Sequence, residues 1–294
     1  GSAGKEDAWY LDCDPGQSVL GPPTTVGLAR FCRGAGDPGS EPGAPRFETV
    51  ALSFVGSTSP AQHPLQTLAG VARLVREVPA SGLLVCDSSG FVSGRLAGEF
   101  QYNLVSLLRP DIVVALDADA ELRRTLWPFH EAPDIEVLHM ESDAACRSKS
   151  RAARADHRRR LFTRYFAGAT QQWVELGERS LHGMVSDDRG TAAAPAVGTG
   201  TGTGIGTGMT APAPGAAAAP TAYRNRLCAL LDGRQLVVAL GIILGVSGGR
   251  GARGRAIEEL EVLAPPFGDK RIVSVQLGSH KLFPEDLTYQ EPHE

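Results

Sequence analysis

The sequence predicts an α/β fold, a parallel sheet with crossover helices followed by a small β-rich unit. Three observations predict it. Short continuous apolar runs recur, each ending in a polar or glycine-rich turn: "AWYLDCDPG", "ETVALSFVGSTSP", "GLLVCDSSG", "DIVVALDAD" and "DIEVLHMES". Runs of this kind are expected of strands buried on both faces. Helix-length patterns lie between them, and strand–helix alternation implies parallel pairing through crossovers. Further on, a long segment almost free of charge and of large apolar groups separates this region from a stretch whose runs again look like strands.

Residues 61–78 carry Leu65, Leu68, Val71, Ala72 and Val75 at helical spacing, and residues 95–108 carry Leu96, Phe100, Leu104, Val105 and Leu108. Residues 33–46, "RGAGDPGSEPGAPR", read as a Gly/Pro loop. Residues 186–222 include "TAAAPAVGTGTGTGIGTGMTAPAPGAAAAP", which cannot bury a core and is expected to be disordered. The expected organisation is an α/β domain over 1–185, the low-complexity insert over 186–222, and a β-rich domain over 223–294 built on "RQLVVALGIILGV", "IEELEVLAP" and "RIVSVQLGSHKLF".

The 294 residues carry a formal charge of −4, which argues against a wholly basic nucleic-acid coat but not against a local basic site. Five dispersed cysteines without CxxC spacing read as reduced thiols rather than a disulfide framework or a zinc site. The run 236–246 is too short to span a bilayer and contains glycines, so it is expected to form a pair of core strands; no membrane partner is expected.

In parallel sheets, ligands bind beyond the carboxyl ends of the strands. Asp12 and Asp14 stand at such an end, followed by Pro15, Gly16 and Gln17. Carboxylates there can hold Mg²⁺ directly or through water, or orient and deprotonate a hydroxyl; they can equally cap a turn. "CDSSGF" (86–91) and "VGSTSP" (55–60) end two further strands in small hydroxyl residues and glycine, compatible with close approach to a ligand or with a plain turn. In "RSKSRAARADHRRRLFTRYF" (147–166), Arg147, Arg151, Arg154 and Arg158 form one helical stripe that continues into Leu161, Phe162 and Tyr165. That stripe is expected to point inward or across a cleft, where the guanidinium fork can clamp phosphate oxygens.

In order and spacing, these segments resemble the polynucleotide 5′-hydroxyl-kinase family, whose members act in ribosomal-RNA processing and in mRNA 3′-cleavage and tRNA splicing. "YLDCDPGQ" looks like its strand-end D-x-D-x-G-Q motif (Walker B), "CDSSGF" its N-T-x-G-W clasp, and "CRSKSRAARADHRRRLFTRYF" its arginine-bearing lid helix. "VGSTSP" and "LLDGRQLVVALGIILGV" also fit, the latter leaning to the ribosomal-RNA branch. The resemblance implies a P-loop NTPase-like sheet and an ATP- and Mg²⁺-dependent kinase of RNA 5′-hydroxyl ends. Asp12 and Asp14 would serve Mg²⁺ and the hydroxyl, with Gln17 close by. Ser88, Gly90 and Phe91 would hold the nucleic-acid end or the phosphate-loop lysine, and Arg151, Arg154 and Arg158 would close over the transferring group. It further implies RNA-processing protein partners and a nuclear, nucleolar location.

The family also has a G-x-x-x-x-G-K-[ST] loop and a helix before the D-x-D strand, and no such loop occurs in these residues. In "GSAGKEDAWYL", Lys5 is followed by Glu6 and lies too close to Trp9 for a helix. The expectation is a fragment of a longer kinase or a member that has lost nucleotide binding. The second case is a non-catalytic RNA-processing scaffold of the same fold. A third reading, another P-loop nucleotide-driven partner-binding protein, accounts for the D-x-D turn but not for the clasp and lid.

Overall fold

The computed structural model describes residues 8–32, 46–143, 145–146, 149–176, 180–183, 185–186, 192–193, 222–248, 250–251, 254–255 and 257–290. Lys5, Arg147, the Gly/Pro loop over 33–45 and nearly all of the low-complexity insert lie outside these residues. The chain divides into two compact units, residues 1–158 and 159–294.

The first unit contains β1 (Ala8–Asp12), β2 (Thr25–Cys32), β3 (Arg46–Phe54), α1 (Pro64–Val75), β4 (Leu83–Asp87), α2 (Arg95–Leu108), β5 (Ile112–Leu116), α3 (Ala120–His130), β6 (Glu136–Met140) and the start of α4 (Arg151–Tyr165). One sheet has the order β3-β2-β1-β4. The β1–β4 pair is parallel, in the register Leu11 to Cys86 and Asp12 to Asp87. A second sheet pairs β5 and β6 in parallel through the α3 crossover. Parallel strands linked by helices are therefore present as expected, and the sheet is mixed: β2, which the sequence reading did not single out, runs antiparallel to both β1 and β3.

The helix ends follow local chemistry. Pro64 opens α1, where a missing N–H is harmless. The Asp119 side chain accepts from Leu122 N at 2.8 Å and caps α3. Arg109, left-handed at φ 44°, ends α2 just before Pro110. α1 packs on α2 and α2 on α3, with α1 against β2 and β3 and α3 against β6. Burial on both faces of every strand is not what the structure shows. Leu83, Val85, Ile112, Val114, Leu116 and Met140 are each more than half exposed. Along β4, β5 and β6 exposed side chains alternate with partly or fully buried ones, so one face of each strand is open. The β4 edge away from β1 and the β5 edge away from β6 also carry no strand among the described residues.

The second unit is a seven-stranded sheet. It holds β7 (Thr170–Glu175), β8 (Ser180–His182), β11 (Arg226–Leu231), β12 (Val237–Ser247), β15 (Glu259–Ala264), β16 (Ser274–Leu282) and β17 (Tyr289–Gln290), ordered β17-β16-β11-β12-β15-β7 with β8 parallel to β16. Four two-residue strands, β9 (Val185–Ser186) with β10 (Ala192–Ala193) and β13 (Arg250–Gly251) with β14 (Gly254–Arg255), form two small antiparallel pairs. The β-rich unit thus begins before residue 223, since β7 and β8 belong to its sheet.

The expected strand pair over 236–246 is one strand, β12, bulged between Ile243 and Gly245. Its glycines are packing positions rather than turns: a Cβ on Gly241 would lie 3.3 Å from Val262 Cβ, and one on Gly245 2.8 Å from a Glu261 carboxylate oxygen. The last turns of α4 join this core through the fully buried Phe162 and through Tyr165, whose hydroxyl oxygen accepts from Leu240 N at 2.8 Å. Tyr165→Phe leaves that N–H without its acceptor and is expected to lower stability by about 1 kcal/mol in a urea titration.

Candidate active site

β1 is a buried strand beside β4, so its end delivers Asp12 level with Asp87. Asp12 is 2% exposed. One of its oxygens accepts from Asp14 N at 3.1 Å; the other accepts from Ser18 Oγ at 2.9 Å and Val19 N at 2.7 Å. Ser18 Oγ in turn accepts from Leu20 N and Gly21 N. Asp12 is therefore the post on which the loop over 13–21 is folded. Burial pushes its carboxyl pKa up, against the pull of the three donors.

Asp14 closes an Asx turn: its Oδ1 accepts from Gly16 N at 2.8 Å and Gln17 N at 3.1 Å. Its second oxygen accepts none of the turn's N–H groups. Burial raises its pKa and the two turn N–H groups lower it; the Asp87 charge raises it and the Arg158 guanidinium lowers it. The turn is braced from behind. Thr24 N donates to Pro15 O at 2.7 Å, and Thr24 O accepts from Val55 N and Gly56 N, which ties in the "VGSTSP" loop. Gly16 is fixed by that contact, since a Cβ there would lie 2.3 Å from the Thr58 carbonyl oxygen. Gly16→Ala is expected to cost about 2–4 kcal/mol in chemical denaturation, because backbone must shift to admit the methyl group.

Gln17 donates from Nε2 to Gly16 O at 3.0 Å, while its Oε1 is buried without a hydrogen-bond partner. Ser88, Gly90 and Phe91 leave the end of β4, next to the β1 turn. Ser88 and Gly90 are exposed, and Phe91 packs on Phe100 with ring centres 5.9 Å apart. Nothing lies within 4 Å of a Cβ placed on Gly90, so its own fold does not require glycine there. The buried hydroxyl of this loop belongs to Ser89, 3% exposed and without a hydrogen-bond partner. Gln101 on α2 holds the loop by donating to Phe91 O at 2.9 Å. Sequence reading had no signal for Thr24 or Gln101, whose partners lie on other segments, or for Ser18, whose bonds depend on how its own loop folds back on Asp12. Asp87 sat within a quoted motif, and only its register with Asp12 marks it.

The arginine stripe does not point inward as a whole. Arg151 and Arg154 are exposed, and Arg158 is half-buried with its charge acting on Asp14. Spacing sets a residue's azimuth on a helix but not how closely the helix approaches a neighbour. A separate cavity of about 450 Å³ lies beyond the ends of β5 and β6, lined by Asp117, Arg123, His139 and Ser142 among others.

The Asp12–Asp14 turn offers hard oxygen donors and fits Mg²⁺: Asp14 would direct it through a bound water, with Asp12 behind, and further waters and phosphate oxygens would complete the shell. The sequence contains no G-x-x-x-x-G-K-[ST] segment of the kind whose backbone N–H groups cradle ATP phosphates.

Residues 2–168 match the family model described as mRNA cleavage and polyadenylation factor CLP1 P-loop. The chain is 27% identical over 157 residues to a polyribonucleotide 5′-hydroxyl-kinase of Methanocaldococcus jannaschii, covering 53% of this chain and 41% of that one. It is 30% identical over 130 residues to a kinase of the same description from Thermococcus kodakarensis, covering 43% and 35%. The chain thus spans well under half the length of these relatives. Among solved structures, Clp1p in complex with Pcf11p superposes with a TM-score of 0.57 at 13% identity, over 95% of this chain and 68% of that one, which is a likeness of fold. Because the family match runs over more than half of its residues, the chain belongs to the CLP1 P-loop family of mRNA cleavage and polyadenylation factors.

Proposed function

We propose that this chain carries the metal-directing and lid elements of an ATP-dependent polyribonucleotide 5′-hydroxyl kinase that acts in ribosomal-RNA processing in the nucleolus, with RNA 5′-hydroxyl ends as substrate and other RNA-processing proteins as partners. The observation that carries the reading is the Asp14 carboxylate, held by its turn beyond the end of β1 with one oxygen left over and the Arg158 charge acting on it. Asp14 orients the 5′-hydroxyl and takes its proton, a task suited to a carboxylate whose pKa is raised. Gln17 Oε1 and the Ser88–Phe91 loop position the nucleotide end, and Arg158 offsets negative charge at the turn. Bound Mg²⁺ would neutralise charge on phosphate oxygens. The names of the archaeal relatives support the substrate class.

One observation favours a second reading, a non-catalytic scaffold: no G-x-x-x-x-G-K-[ST] segment occurs in the 294 residues. The purified gene product, given labelled ATP, Mg²⁺ and a 5′-hydroxyl oligoribonucleotide, separates the two. Kinase action predicts label on the RNA that disappears in Asp14→Ala; no transfer by the wild-type protein leaves the scaffold.

A further inference from the structure

Two thiols meet directly behind the carboxylate turn. Cys13 follows Asp12 and donates its N–H to Asp87 O at 2.9 Å; Cys86 is the penultimate residue of β4, opposite Leu11. The Cys13 and Cys86 sulfurs are 3.5 Å apart, although the residues are 73 positions apart in sequence. Cys13 is fully buried and Cys86 half-buried. Of the other thiols whose side chains are described, neither lies in this cluster: Cys146 is exposed on another segment, and Cys228 is buried in the core of the second unit.

We propose that Cys13 and Cys86 form an oxidative modification site, closed to a disulfide by a hydroperoxide and reopened by thiols, which reshapes the Asp12–Asp14 turn. Cys86 has the solvent access and reacts first: its sulfur attacks the peroxide, the O–O bond breaks, and water or an alcohol leaves, giving a sulfenic acid. Cys13 then attacks the Cys86 sulfur, the S–S bond forms, the S–O bond breaks and a second water leaves. The two thiols supply the two electrons that reduce the peroxide.

The sulfurs must close from 3.5 Å to about 2.05 Å. Cys13 sits between the residue that anchors the loop and the residue that closes the Asx turn, so the movement is passed to the peptide whose N–H donates to Asp12. The site is defined by the sulfur geometry alone and does not depend on the kinase reading.

The test treats the whole chain with hydrogen peroxide, alkylates it under denaturing conditions and maps peptides by mass spectrometry. The expected result is a linked Cys13–Cys86 peptide, two hydrogens lighter than the sum of its parts, lost on phosphine reduction, absent in Cys86→Ser and present in Cys146→Ser. Hydrogen exchange at Gly16, Gln17 and Val19 should differ between the oxidised and reduced forms by about tenfold, reverting on reduction. Alkylation of both residues after oxidation, a Cys86 sulfinic acid with free Cys13, or a Cys86–Cys146 link would overturn the pairing. A linked peptide with unchanged exchange would overturn its action on the turn.

Discussion

Asp12→Ala is expected to lower folding stability by about 2–4 kcal/mol, because it removes the acceptor of Asp14 N, Val19 N and Ser18 Oγ, the last of them in a buried bond and the other two in part-buried ones. The loss is less than three such hydrogen bonds would suggest, since a charge that burial disfavours is removed with them. Asp12→Asn keeps one acceptor and most of the shape, and its expected cost is about 1–2 kcal/mol. Acidity supplies a sharper check. The folded-state pKa of Asp12 is raised above its ordinary value of 3.8. The native state therefore holds this proton more tightly than the unfolded chain. Its contribution to stability is fully present below 3.8 and is lost as pH rises through the raised value. The destabilisation by Asp12→Ala should accordingly be larger at about pH 4.5 than at about pH 7.5, measured by urea titration of both proteins. An equal difference at both pH values would mean that the loop, and not the carboxyl's burial, governs the site. On the proposed kinase reading, transfer activity tested under folding conditions would fall with the loop geometry, which would make Asp12 a positioning residue first.

That division of labour explains what the sequence could reveal. Asp12 and Asp14 stand out because two carboxylates and Pro-Gly end an apolar run, and α2 was legible from Leu96, Phe100, Leu104 and Leu108 on one face. Both are local patterns. The partners that distinguish the two carboxylates are not local in kind: Ser18 and Val19 fold back on Asp12, and Asp87 and Arg158 reach Asp14 from other elements. β2 was invisible because its antiparallel pairing with β1 and β3 is set by long connections and not by its own composition. The runs of β4, β5 and β6 promised burial on both faces, yet hydrophobicity records only that a face needs covering, not what covers it. Gly241 and Gly245 misled in the opposite way, since glycine in a strand can mark close packing as readily as a break.

Asp14→Asn separates chemistry from folding. Asn keeps the Oδ1 acceptor of the Asx turn, so stability should stay within about 0.5 kcal/mol of the wild type, while, if Asp14 is the base as proposed, transfer to a 5′-hydroxyl end should fall by roughly 10²–10⁴-fold. The two charges acting on Asp14 should then move its titration in opposite directions. Arg158 stabilises the carboxylate, so Arg158→Met should raise the Asp14 pKa and carry the acid limb of the rate profile to higher pH. Asp87 disfavours it, so Asp87→Asn should shift both downward. Carbon NMR titration of the carboxyl groups reads these shifts in the chain whether or not it turns over ATP. Kinase assays across the same pH range test whether the titrating group is the one that limits transfer. If Arg158→Met left the Asp14 titration in place while abolishing transfer, the arginine would act on the phosphoryl group alone. If it shifted the titration and left transfer intact, Asp14 would be a turn residue and its place as the base would be lost.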